Sequence, residues 1–160
     1  MKPILVFDLD GTLVDTADDL VSTLNVILEE EGLGGVTPEQ TRAMVGHGAR
    51  VLIERALKAK GETRPAEAVD ALLRRFIDHY AANIAVASRP FPGVEPALDR
   101  FAERGFALAV CTNKLEHLSV KLLDALGLSE RFAAICGADT FAVRKPDPRM
   151  LIETIRRAEG

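Results

Sequence analysis

Two aspartates one residue apart, Asp8-Leu9-Asp10, followed at once by Gly11-Thr12, are the residues of this chain best placed to do chemistry. They come directly after the apolar run Pro3 to Phe7. A short, continuous apolar run fits a strand buried on both faces of a parallel sheet. Side chains two apart on an extended segment point the same way, roughly 7 Å apart. Both carboxylates then leave the carboxyl end of the strand together, the end at which open α/β sheets bind ligands. One can attack while the other shuttles a proton. Gly11 lets the backbone turn sharply, and Thr12 adds a hydroxyl beside it. An isolated D-x-D is more often an acidic strand-to-turn junction; the full D-L-D-G-T after an apolar strand is more specific.

Two further stretches fit the same chemistry. Thr112-Asn113-Lys114 follows the apolar run ending at Cys111, and a helix is expected to begin shortly after it. Helix N-termini attract phosphate, although Thr112 or Asn113 as a plain helix cap explains the residues equally simply. Lys145-Pro146-Asp147-Pro148 is stiffened by its prolines, with Asp147 suited to an N-cap and Pro148 to the first helical position. A lysine held there can neutralise phosphoryl charge. A solvent-exposed loop lysine is the competing reading. Taken together, the three stretches bring carboxylates, a hydroxyl and a cation to one end of one sheet, a set suited to attack on a phosphate monoester.

The elements that must position these residues follow from periodicity. Leu20, Leu24 and Leu28 mark a helix over about 16–31, closed by Gly32, Gly34 and Gly35. Thr37-Pro38-Glu39-Gln40 carries a capping box and a first-turn proline. Gly46-His47-Gly48 interrupts the pattern, Val51 to Ala56 resume it, and Pro65 opens a third helix to about Tyr80. Arg89 to Gly93 is a stiff connector. Beyond it, strands over 106–111 and 132–136 alternate with helices at 98–101, 115–126 and 150–157. This predicts an α/β fold, a doubly wound parallel sheet of Rossmann-like type, built from residues 1–15 and 89–160, with an inserted α-helical cap over 16–88.

Composition narrows the function classes. The chain has 160 residues, 48% of them apolar, and a formal net charge of -4. That allows a sizeable core and argues against nucleic acid as a partner. Cys111 and Cys136 match no zinc spacing and read as buried thiols of a reducing compartment. No signal-peptide pattern and no stretch approaching the ~20 apolar residues of a spanning helix is present, so no membrane association and a cytoplasmic location are expected.

The motifs D-L-D-G-T at 8–12, Thr112 and Lys145 resemble the aspartate, serine/threonine and lysine motifs of the haloacid dehalogenase-like hydrolases. The resemblance covers nearly the whole chain. Within that family GHGARVLIERAL, RPFPGV, VCTNK and RKPDP are most similar to phosphoglycolate phosphatases. The resemblance implies a phosphomonoester hydrolase acting on a small phosphorylated acid through a phospho-aspartate on Asp8. It implies Asp10 as general acid/base, Lys145 as a catalytic cation, and phosphate binding by Gly11, Thr12, Thr112 and Asn113. It also implies Mg2+ held in part by Asp8 and Asp10. A phosphosugar mutase of the same fold and a non-catalytic binding domain are the alternatives.

The family pattern continues with an acidic metal-binding motif after a fourth core strand, which this chain, ending at Gly160, does not show. The expectation is an incomplete core with weak magnesium binding, and an exposed apolar edge on the first strand. Such an edge recruits a partner strand or aggregates, so a homodimer is among the expected states. On the insert, His47 and Arg50 are substrate-loop candidates, Arg50 for a carboxylate. A loop histidine and a solvated helix arginine are the simpler readings. His79 and His117 read as surface residues, and Asp15, Asp18 and Asp19 as favouring the start of the first cap helix.

Overall fold

A computed structural model of the chain describes residues 2–160. In chain order the elements are β1 (Ile4–Phe7), β2 (Val14–Asp15), α1 (Ala17–Glu30), α2 (Pro38–Arg42), α3 (Ala49–Ala59), α4 (Ala66–Ala82) and β3 (Arg89–Pro90). They continue with α5 (Val94–Glu103), β4 (Ala107–Cys111), α6 (Glu116–Ala125), β5 (Ala134–Cys136) and α7 (Pro148–Glu159). No helix among the described residues is long and apolar enough to cross a membrane.

The three longer strands form a parallel sheet in the order β1-β4-β5. Register aligns Phe7 with Val110 and Cys111 with Cys136, so the three strands end near one another. Strand alternation sends the two faces into different layers. Leu5, Phe7, Leu108, Val110 and Ile135 pack with Leu98 and Phe101 of α5 and Leu118, Leu122 and Leu123 of α6. Ile4, Val6, Ala109, Ala134 and Cys136 pack with Ala158 of α7. The sheet is therefore covered on both sides, which explains why its strands read as unbroken apolar runs. β1 lies at one end of the order, and among the described residues its outer edge pairs with no strand.

Residues 16–88 are mainly helical. Leu20, Leu24 and Leu28 are all buried along α1. The capping box of α2 is formed: the Thr37 hydroxyl accepts from the Gln40 N–H at 3.3 Å, and Gln40 Oε1 accepts from the Thr37 N–H at 2.9 Å. At the other end of the chain Asp147 caps α7, accepting from the Arg149 N–H at 2.9 Å, with Pro148 in the first turn.

Several boundaries differ from the periodicity. β4 and β5 begin after Phe106 and Phe132, because both phenylalanines serve as anchors at the strand entrances; a 3-10 turn (Ser129–Arg131) precedes the second. Periodicity gave no sign of β2 and β3, which are two residues each. They pair antiparallel, Val14 with Pro90 and Asp15 with Arg89, and so fasten together the two chain crossings that bracket the helical segment. Asp19 does more than face the helix dipole. It is buried, and its carboxylate accepts from the Ala87 and Ser88 N–H groups and, at 2.6 Å, from the Ser88 hydroxyl. His79 is half-buried rather than a surface residue, and its Nδ1 has no partner. His117 is exposed. Both cysteines are free and buried, and burial pushes the Cys136 thiol up.

Candidate active site

β1 ends in a tight loop. The N–H groups of Thr12, Leu13 and Val14 all donate to the Leu9 carbonyl, and the Gly11 N–H donates to the Val14 carbonyl at 2.9 Å. Gly11 has φ 75°, a left-handed conformation that glycine adopts without strain. The loop buries Leu9 completely and leaves Asp8 and Asp10 on the opposite side, as alternation along an extended segment requires.

Each carboxylate is held through one oxygen. Asp8 Oδ1 accepts from the Leu9 N–H at 2.7 Å and lies 2.9 Å from Lys145 Nζ. Asp10 Oδ1 accepts from the Thr16 hydroxyl at 2.7 Å and lies 2.9 Å from Lys114 Nζ. Thr16 is the N-cap residue of α1, yet its hydroxyl makes no capping bond because it is turned to Asp10. Lys114 is almost fully enclosed and also donates to the Tyr80 hydroxyl at 2.8 Å, with its ammonium 4.4 Å from the centre of the Tyr80 ring. Burial alone would push this ammonium down, but the Asp10 carboxylate and Tyr80 hydroxyl reverse that and hold it above the ordinary lysine value. Burial likewise pushes the Tyr80 phenol up.

These groups line a cavity of about 250 Å³. Asp8, Asp10, Thr112, Asn113 and Lys114 form its floor, and Gly46, Gly48 and Arg50 enter from the helical segment. The lysine loop contributes Arg144, and Leu20, Phe76, Ile77 and Tyr80 give an apolar wall. The loops meet closely. Asn113 Nδ2 donates to the Gly46 carbonyl at 3.2 Å and to the Lys145 carbonyl at 3.3 Å. Gly48, at φ 90°, leaves only 3.3 Å between a notional Cβ and the Asn113 carbonyl.

The structure thus brings together Asp8, Asp10, Thr112, Asn113, Lys145 and, from the helical segment, Arg50. Gly11 and Thr12 lie on the exposed outer side of the β1 loop and do not line the cavity. His47 is exposed and also outside it. Arg50 is paired with Asp70 and with Glu54 at 3.7 Å. The N-terminus of α6, expected to face a phosphate, gives its Glu116 N–H to Asp139 at 2.7 Å. Sequence reasoning assigned no role to Lys114, Arg144, Thr16 or Tyr80. Both basic residues sit inside the motifs after β4 and before α7, but the partners of Lys114 come from segments far along the chain, Arg144 makes no ion pair among the described residues, and no local pattern announces either.

The profile of the haloacid dehalogenase-like hydrolases matches residues 5–159. The chain belongs to that family. It is 54% identical over 159 residues to a phosphoglycolate phosphatase of Mesorhizobium japonicum, covering 99% of this chain and 70% of the relative. It is 50% identical over 160 residues to the phosphoglycolate phosphatase of Agrobacterium fabrum, covering 100% and 69%. Among solved structures, one described as a predicted phosphoglycolate phosphatase from Haemophilus somnus superposes with a TM-score of 0.87 at 29% identity, covering 95% of this chain and 69% of that one. The chain spans about 70% of the length of the curated relatives it matches.

Membership in this family implies a magnesium ion. Asp8 and Asp10 offer hard oxygen donors of the kind magnesium takes alongside waters and a substrate phosphate. Among the described residues no third acidic, histidine or cysteine side chain joins them in a metal-binding group. The Asp8 carboxylate and the Asp10 backbone carbonyl fit a partial protein shell.

Proposed function

We propose that the protein hydrolyses the phosphate monoester of a small carboxylic acid, 2-phosphoglycolate, through a phospho-aspartate on Asp8. The observation that supports this most directly is the pairing of Asp8 with Lys145 at 2.9 Å beside Asp10, with both aspartates on the floor of one cavity. Asp8 Oδ1 is committed to Lys145 and the Leu9 N–H, which leaves Oδ2 to attack phosphorus. The bond from phosphorus to the glycolate oxygen breaks as the bond to Asp8 forms. Asp10 gives its proton to the departing oxygen and takes one back from the water that next attacks phosphorus, which releases inorganic phosphate and restores Asp8. Lys145 offsets the charge on the phosphoryl oxygens, and the Thr112 hydroxyl and the Asn113 main-chain N–H orient them. The Asp8 carboxylate and the Asp10 backbone carbonyl would hold Mg2+, which when bound neutralises phosphate charge. The cavity's apolar wall limits water around the reacting centre.

The substrate reading is drawn from the phosphoglycolate phosphatase relatives and is supported by cationic side chains at the cavity, Arg144 above all. The test is release of inorganic phosphate from 2-phosphoglycolate with Mg2+. The wild-type chain should release it and Asp8→Asn should not. Near-normal release by Asp8→Asn would overturn the mechanism. Return of phosphate to a second position of a sugar phosphate, with little release, would favour a mutase instead.

A further inference from the structure

Lys114 is a strongly basic side chain of the site that takes part in no step of the reaction above. It is buried, and it bridges two parts of the chain. On one side its ammonium lies 2.9 Å from Asp10 Oδ1, on the loop after β1. On the other it donates at 2.8 Å to the hydroxyl of Tyr80, in the last turn of α4. Its own backbone is fixed, since the Lys114 N–H donates to the Thr112 hydroxyl at 3.2 Å and its carbonyl accepts from the Ala138 N–H at 2.9 Å. Tyr80 is equally constrained, fully buried and stacked on Phe76 at 6.0 Å. A buried ammonium needs its partners, because removing one leaves charge uncompensated where water cannot reach it. The Lys114 ammonium is therefore confined to the line between Asp10 and Tyr80. Anything that moves α4 away from the sheet removes one of its two anchors.

We infer that Lys114 is a positioning residue that couples the seating of the helical segment to the orientation of the Asp10 carboxylate, with the Tyr80 hydroxyl as the contact that senses seating. The inference rests on the proposed role of Asp10 in proton transfer. With α4 seated, Lys114 and Thr16 together fix Asp10 Oδ1, which turns Oδ2 toward the cavity. With α4 displaced, the ammonium loses Tyr80 and is no longer fixed from that side, so Asp10 is held by Thr16 and by a lysine free to carry its carboxylate out of line. The reaction would then be competent only under a closed segment, when water is excluded.

The test separates proton transfer from general damage by the choice of leaving group. The glycolate oxygen needs a proton as it departs; p-nitrophenolate hardly does. In the presence of Mg2+, Lys114→Met should lower kcat on 2-phosphoglycolate by about tenfold, part of the full contribution of a general acid. Tyr80→Phe, which keeps the ring, should lower it by about threefold. KM should change little in both, and kcat on p-nitrophenyl phosphate should fall by much less. Equal losses on the two substrates, or none, would overturn the inference. If the wild-type chain releases no phosphate from 2-phosphoglycolate, the functional reading fails, and thermal unfolding still decides the coupling. The Tm shifts of Asp10→Asn and Tyr80→Phe should be non-additive by about 2 °C while Lys114 is present, and additive in the Lys114→Met background. Additivity in both backgrounds would show that no such link exists.

Discussion

Arg50 and Arg144 reach the same cavity with different amounts of free charge. Arg50 shares its guanidinium with Asp70 and Glu54, whereas Arg144 makes no ion pair among the described residues and stands opposite Gly48. A guanidinium without a competing carboxylate is the better reader of a substrate carboxylate. Arg144→Ala should therefore raise KM for 2-phosphoglycolate by about tenfold, the worth of a hydrogen bond to a charged group, and change KM for p-nitrophenyl phosphate little. Arg50→Ala should show the same preference more weakly. A larger carboxylate-specific effect for Arg50, measured side by side, would reverse the assignment. At this scale the sequence was most informative where a residue's role depends on its own strand. Asp8, Asp10 and Thr112 each follow a strand directly, so alternation and strand ends were enough to place them. Lys114 and Arg144 escaped because what defines them is a partner 34 residues away in one case and an absence of partners in the other.

Two elements hold the site through contacts that periodicity does not encode. Gly137, just after β5, is pressed against the loop after β4: a Cβ there would sit 2.2 Å from the Glu116 nitrogen and 2.5 Å from the Lys114 carbonyl oxygen. Both neighbours are backbone and cannot yield cheaply. Gly137→Ala should cost on the order of 2–3 kcal/mol, seen as a Tm lower by about 5–10 °C. It should also lower activity, because Lys114 lies in the displaced loop. The second is the C-terminal end of α1, where Glu31 accepts from Arg64 at 2.7 Å and from Arg75 of α4 at 2.8 Å. Those hydrogen bonds, that of Arg75 first, hold the Glu31 carboxyl below the ordinary glutamate value. A depressed carboxyl contributes stability above its unfolded pKa, about 4.3, and loses it as pH falls through the lower folded value. Glu31→Gln should thus lower Tm at pH 7 and much less at pH 3; equal shifts at both would remove the ion pairs from the account. The helices themselves were legible because burial at every third or fourth residue leaves a pattern. Gly137 was not, since a close backbone approach has no periodicity.

At the scale of the whole molecule, the question is how a segment of about seventy residues (16–88) stays registered over a site built largely by the rest of the chain. The order of elements, a first strand, then helices, then alternation, was legible in the sequence. The segment's attachment was not. The two crossings are joined by β2 and β3, and beneath them Asp19 receives the N–H groups of both Ala87 and Ser88 and the Ser88 hydroxyl. A buried carboxylate with that many donors is a rigid anchor, and removing it leaves three donors unsatisfied. Bending between segment and sheet should therefore be confined to the residues flanking β2 and β3, with 16–88 moving as one body. In hydrogen-exchange measurements Asp19→Ala should speed exchange at Ala87 and Ser88 by about tenfold or more, the equivalent of one lost charged hydrogen bond, while β4 amides stay as slow as in the wild type. The same variant should lower kcat on 2-phosphoglycolate more than it raises KM, because a loosened segment seats less often over Asp10 without altering the groups that touch the phosphate. Uniform acceleration of exchange through β4 would mean instead that Asp19 stabilises the whole fold, and that the helical segment has no hinge of its own at this position.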